Sequence, residues 1–174
     1  MRPGVHANSA QIDIRQEDIL AYDGDGLLLP TLSPGTMIEG LAIRVKEIVG
    51  QLVEDAVAKH APIAVGAAML SEAPSMPVRH LIHAPVAESP GEKSRIENVR
   101  RATRAGLLAA NHYELERIAI PGIGYGESGI PHDEAARAII DEIRGFKGGF
   151  PKQISLIDED IDMVDAFEML LAGK

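Results

Sequence analysis

Between Ile118 and Pro131 the chain places glycines at Gly122, Gly124, Gly126 and Gly129. The apolar run before them reads as a strand, and the residues from His132 onward read as a helix. Glycines at such a junction let backbone approach a ligand closely, and the first amides of the following helix lack partners. Amides arranged in this way hold an anion without a basic side chain. The spacing lacks the extra residue of the dinucleotide fingerprint, and the Gly-Lys-Ser/Thr of a phosphate-binding Walker loop is absent. The same pattern also describes a tight strand-to-helix turn that holds nothing. A second candidate is Asp18, followed by Ile19, directly after the polar/apolar alternation of Gln11 to Arg15. A carboxylate at a strand's carboxyl end lies where ligand crevices of layered α/β folds form, and it can accept hydrogen bonds from an amine. Turn capping is the other role for an aspartate there.

Other chemistry-bearing residues combine less well. His80 and His83 are three apart on a strand, so they point to opposite faces and suit core or surface roles better than a shared metal. Asp158, Asp160 and Asp162 imitate the start of a calcium loop, but Met163 and Met169 occupy its required Gly and Glu positions. These acids instead complement the positive end of the last helix. Ser71, Ser128 and the histidines form no nucleophile motif. With no cysteine there is no disulfide, thiolate nucleophile or thiolate metal site. No metal and no cofactor is expected.

The elements that must position these residues alternate between short apolar runs and helical-period segments, the pattern of a layered α/β domain. Strands are expected over 11–15, 27–29, 64–70, 78–83, 118–120 and 154–157. Helices are expected over 38–58, 96–112, 132–146 and 160–171. In the first helix Leu41, Val45, Ile48, Val49, Leu52, Val53 and Ala56 form one face, and Gly50 can divide it. A chain of 174 residues fits one domain, taken as 1–174.

Composition narrows the functions. The 17 basic and 26 acidic residues give a formal charge of -9, which repels a polyphosphate backbone and argues against general nucleic-acid binding. No apolar run approaches the ~18 residues of a membrane span, and Met1 to Ala10 lacks the apolar core of a signal peptide, so a cytoplasmic location without membrane contact is expected. Three Phe, three Tyr and no Trp leave few rings to stack on a ligand.

From about Gln11 to Leu171 the chain resembles the macrodomain family of ADP-ribose-binding modules. The resemblance is carried by Asp18-Ile19, Gly40-Leu41-Ala42, Val65-Gly66-Ala67-Ala68, Pro77 to His83, the helix from Ile96, and Ile120-Pro121-Gly122-Ile123-Gly124-Tyr125-Gly126. It implies a three-layer α/β/α fold around a mixed six- or seven-stranded sheet. It also implies that Asp18 accepts from the adenine amine while the Ile19 amide contacts the ring. Gly122, Ile123, Gly124, Tyr125 and Gly126 would cradle the diphosphate, and Glu39, Gly40 and Leu41 would flank the distal ribose. The partner so implied is ADP-ribose, free or on an ADP-ribosylated protein.

The sequence departs from the family's pattern in three places. Leu29-Pro30-Thr31-Leu32 replaces the usual Asn-Ala-Ala-Asn, which removes the asparagine that holds the distal ribose and orients water in hydrolytic members. Ile38-Glu39-Gly40 replaces a glycine run, and Glu127 adds a carboxylate to the phosphate loop. Ile157 stands where many members stack a ring on adenine, a contact worth ~1 to 3 kcal/mol if nucleic-acid values transfer. Two alternatives to binding therefore stand: hydrolysis of ADP-ribosyl or O-acetyl-ADP-ribose esters with Glu39 as general base, and a ligand-free interaction module.

Overall fold

The computed structural model describes residues 10–126 and 129–173. Six strands, β1 (Gln11–Gln16), β2 (Gly26–Leu32), β3 (Met69–Glu72), β4 (His80–Ala87), β5 (Arg117–Ile120) and β6 (Gln153–Asp158), form one sheet in the order β1-β6-β5-β2-β4-β3. All neighbours run parallel except β3, which is antiparallel to β4. The helices are α1 (Gly40–Val49), α2 (Gln51–Ala58), α3 (Ile96–His112), α4 (His132–Gly145) and α5 (Ile161–Gly173).

Alternation along the strands divides the apolar side chains between two cores. Leu27 and Leu29 of β2 join Val45, Val49 and Val53 of α1 and α2, while Leu28 between them joins Val99 and Leu107 of α3 and Ile139 of α4. In β6, Ile154 and Leu156 face the second core and Ile157 faces the first. Helices therefore cover both faces, giving the expected three layers around a mixed six-stranded sheet.

The structure moves several expected boundaries. Residues 64–68 are not a strand: β4 offers β3 partners only from His83 to His80, so pairing starts at Met69. The next strand begins at His80 rather than Val78 and runs on to Ala87. β2 extends past Leu29 through Pro30. Proline's missing donor is tolerated there because β2 pairs with β5 only at Gly26 and Leu27, leaving that side open at Pro30. The 38–58 helix is two helices, since Gly50 adopts φ 86, a conformation that ends α1. Val45, Val49 and Val53 are buried as expected, but Leu52 is 82% exposed and Ile48 also faces outward. Leu171 is only partly buried, while Met163 and Phe167 fill the α5 face. Arg100 of α3 pairs with Asp141 and Glu142 of α4 at 3.5 and 3.7 Å instead of standing free in water.

Candidate functional site

Parallel strands point their carboxyl ends one way, and the segments leaving β1, β2, β5 and β6 surround a cleft there. It has two lobes. The β1 lobe, about 550 Å3, is lined by Asp18, Ile19, Arg44, Ile157, Asp158, Glu159 and Asp160. The β2 lobe, about 480 Å3, is lined among others by Thr31, Thr36, Glu39, Glu92, Ser94, Ile123 and Gly124. Gly40, Leu41, Pro121, Gly122 and Tyr125 line both, so the start of α1 and the loop after β5 form the waist between them.

At the waist, Gly124 adopts φ +83, and a Cβ on it would stand 2.8 Å from Val99 Cγ2. A Cβ on Gly122 would stand 2.7 Å from the Tyr125 ring and 2.9 Å from Asp158 Oδ2. The loop is thus held by close backbone contact that side chains would block. Ile130 N donates to Gly124 O at 2.8 Å and closes the loop on itself. The amides of Ile123, Gly124 and Tyr125 meet no acceptor among the described residues. Opposite them α1 begins with Glu39 as a cap whose side chain makes no capping bond, leaving first-turn amides free.

Asp158, the last residue of β6, fastens the β1 lobe to this waist. Its Oδ2 accepts from Gly122 N at 3.1 Å and its Oδ1 accepts from the Tyr125 hydroxyl at 2.7 Å. Burial and the adjacent Asp158 carboxylate push the Tyr125 phenol well above its ordinary pKa, so it remains a donor at neutral pH. The Tyr125 ring lies 4.8 Å from that of His132, whose Nε2 is 3.2 Å from Asp160 Oδ2. That hydrogen bond, with backbone amides at Asp162 and Met163, holds the Asp160 carboxyl below the usual carboxylate range. Asp160 also caps α5, accepting from Asp162 N at 2.8 Å, which agrees with the helix-end role expected of these acids. His132, Asp160 and Asp162 could reach one metal ion, since a ligand atom from each lies within 4.8 Å of the others.

Asp18 has two partners. Its Oδ1 accepts from Leu20 N at 3.0 Å, capping the single 3-10 turn Ile19–Ala21. Arg44 Nη2 donates to Oδ1 and Oδ2 at 3.2 and 3.1 Å. Capping and a pair with Arg44 in the cleft therefore coexist at this one carboxylate. In the β2 lobe, Glu39 Oε1 accepts from Gly91 N at 3.2 Å, and Glu92 Oε1 accepts from Glu88 N and Ser89 N. Those two amides keep the exposed Glu92 carboxyl below its ordinary pKa. Behind the lobe, Glu54 accepts from Met37 N at 2.6 Å and meets Lys46 Nζ at 2.8 Å, tying the loop after β2 to both helices. Burial opposes that charge, but the ammonium and amide donors still hold the Glu54 carboxyl below the usual range.

Nine of the ten residues singled out in the sequence line the cleft: Asp18, Ile19, Glu39, Gly40, Leu41, Gly122, Ile123, Gly124 and Tyr125. Gly126 does not and is exposed, and Glu127 lies outside the described residues. The Gly122 amide already serves Asp158. His83 is fully buried with Nε2 2.8 Å from Ser71 Oγ, and burial lowers its pKa to about 4. Sequence reasoning missed Arg44 and the clamp made by Asp158. The clamp had a faint signal, a carboxylate right after the strand expected over 154–157. Arg44 had none, because its partner is a long way off in sequence.

The Macro domain family model matches residues 33–139, more than half of the chain. This chain belongs to the Macro domain family. A related protein of Aquifex aeolicus is 38% identical over 160 residues, covering 92% of this chain and 97% of its own. The macro domain is also similar to the Trypanosoma brucei macrodomain in complex with ADP-ribose, with TM-score 0.80 and 18% identity over 92% of this chain and 69% of that one. An Oceanobacillus iheyensis macrodomain mutant with ADPR matches with TM-score 0.81 and 16% identity over 96% and 95% of the two chains. No helix of the described residues in this macro domain is long and apolar enough to cross a membrane.

Proposed function

We propose that this macro domain binds ADP-ribose, free or carried on a protein, or a related adenine nucleotide diphosphate. Adenine occupies the β1 lobe with its amine on Asp18 and its ring edge at the Ile19 amide. The diphosphate sits at the waist and the distal ribose enters the β2 lobe beside Glu39, Gly40 and Leu41. One observation carries this reading: the waist shared by both lobes is bounded by two sets of backbone donors, the start of α1 and the loop holding Ile123, Gly124 and Tyr125. Oriented amides and a helix N-terminus favour an anion even within a chain of charge -9. Solved macrodomains bound to ADP-ribose add support from the same fold.

Binding is better supported than turnover. Glu39, the carboxylate best placed for a general base, accepts a backbone hydrogen bond from Gly91. Ile38, which could have filled the cleft of a ligand-free module, is 47% exposed and lines neither lobe. Thermal unfolding with ADP-ribose, ADP and AMP tests the reading. ADP-ribose at about 100 times its Kd should stabilise the fold by about 2.7 kcal/mol, and AMP should stabilise it less at equal concentration. No shift in melting temperature at millimolar ADP-ribose rejects the proposal.

A further inference from the structure

The β1 lobe holds four carboxylates, those of Asp18, Asp158, Glu159 and Asp160, and one cation, Arg44. Of the described residues lining either lobe, Arg44 is the sole Lys or Arg. Its guanidinium is held in place by Asp18 through contacts of 3.1 and 3.2 Å from a single nitrogen, Nη2. Ile157 belongs to the same core as α1 and is fully buried, so its side chain gives the lobe no aromatic platform at that position. Tyr125, the lobe's one ring, is committed at its hydroxyl to Asp158 and along its ring to His132.

A flat heteroaromatic ligand entering this lobe finds the Ile157 side chain buried beneath it and meets a planar cation on α1. A guanidinium stacks on a π-face and carries positive charge toward it, which a methylene surface cannot do. The Asp18 pair tethers one end of the guanidinium beside the cleft before the ligand arrives, so part of its side-chain freedom is already spent. Asp18 Oδ2 has only the Arg44 contact, so it keeps capacity to accept from a ligand amine as well.

We infer that Arg44 is the base-recognition residue of the β1 lobe, its Asp18-anchored guanidinium covering the purine plane where Ile157 offers no ring. The inference rests on the placement of adenine proposed above. Arg44 acts on the base and not as a counter-ion for phosphate, and it needs a planar head rather than charge alone.

The test is calorimetry of the full chain and its Arg44→Ala and Arg44→Lys variants with ADP-ribose and with ribose 5-phosphate, which lacks the base. Arg44 is an exposed helix-surface residue, and unchanged melting temperatures verify that both variants fold. Both variants should bind ADP-ribose about fivefold or more weakly than the parent chain. Their affinity for ribose 5-phosphate should stay within about twofold of the parent, the scale of a weak screened charge effect. Rescue by lysine, or an equal loss for both ligands, would mean a phosphate counter-ion and overturns the inference. Unchanged or tighter ADP-ribose binding by Arg44→Ala overturns it too, by making Arg44 a bystander or a competitor for Asp18. In those cases the adenine placement survives; if the parent chain itself binds no ADP-ribose, the placement and the inference fall together.

Discussion

The two lobes of the cleft are similar in size and differ in what their charges hold. In the β1 lobe the carboxylates bind side chains that also line or border the cavity: Asp18 holds Arg44, Asp158 holds Tyr125, and Asp160 holds His132. These three also accept from backbone amides, whereas in the β2 lobe Glu39 and Glu92 hold backbone alone, at Gly91 and within the Glu92 loop, beside the hydroxyls of Thr31, Thr36 and Ser94. A lobe whose charges are locked to one another presents a fixed pattern of donors and acceptors and can discriminate. A lobe whose acids brace its rim presents shape and little chemistry. On the binding mode proposed above, the first is the lobe that reads the base and the second the one that admits a sugar with varied attachments.

A substitution at the shared wall should abolish this distinction, because it damages the proposed phosphate seat between the lobes. In Gly124→Val the new side chain meets Val99 and forces a branched residue into φ +83, a conformation that costs about 1–3 kcal/mol. Loss of two amide bonds to a charged phosphate, at about 1.5 kcal/mol each, weakens binding on the order of 100-fold. Calorimetry should find ADP-ribose and ribose 5-phosphate impaired alike. A loss confined to ADP-ribose would mean that the waist does not seat phosphate.

The next largest effect belongs to the β1 lobe alone. Asparagine caps as well as aspartate, so Asp18→Asn keeps the turn at Ile19–Ala21 while removing the charge that holds Arg44. ADP-ribose affinity should fall roughly tenfold, the value of one hydrogen bond to a charged group, with ribose 5-phosphate unaffected. The preference for ADP over IDP should shrink as well, because an asparagine amide can donate to the keto oxygen that a carboxylate repels. Unchanged preference between the two diphosphates would remove Asp18 from base reading.

How far the sequence reveals each lobe follows from the range of the interactions that build it. The waist loop was legible because its glycines are local: Gly124 must take a positive φ wherever the chain goes next. Helix α3 was legible to the residue, since Val99, Thr103, Leu107 and Ala110 repeat on one face and all are buried. β2 beyond Leu29 was not, because Pro30 is allowed only by the early end of β5, a fact of register. The Arg44–Asp18 pair and the hold of Asp158 on the loop join residues 26 and 36 positions apart, and no periodicity encodes them. Long-range pairing of this kind is what arranges the side chains of the β1 lobe, so the lobe whose charges are locked together was the less legible one.

The smallest expected effect tests the β2 lobe. Glu39→Gln keeps an acceptor for Gly91 N and so keeps the rim in place, while removing one negative charge near the proposed seat of the diphosphate. Two unit charges roughly 7 Å apart in water repel by about 0.6 kcal/mol, so ADP-ribose should bind the variant about two- to threefold more tightly at low salt. At 1 M salt, where the screening length is about 3 Å, parent and variant should bind equally. The sign matters more than the size. If Glu39 grips the distal ribose through its charge, the same substitution weakens binding at every salt concentration, and the β2 lobe then reads its ligand with a fixed carboxylate as the β1 lobe does.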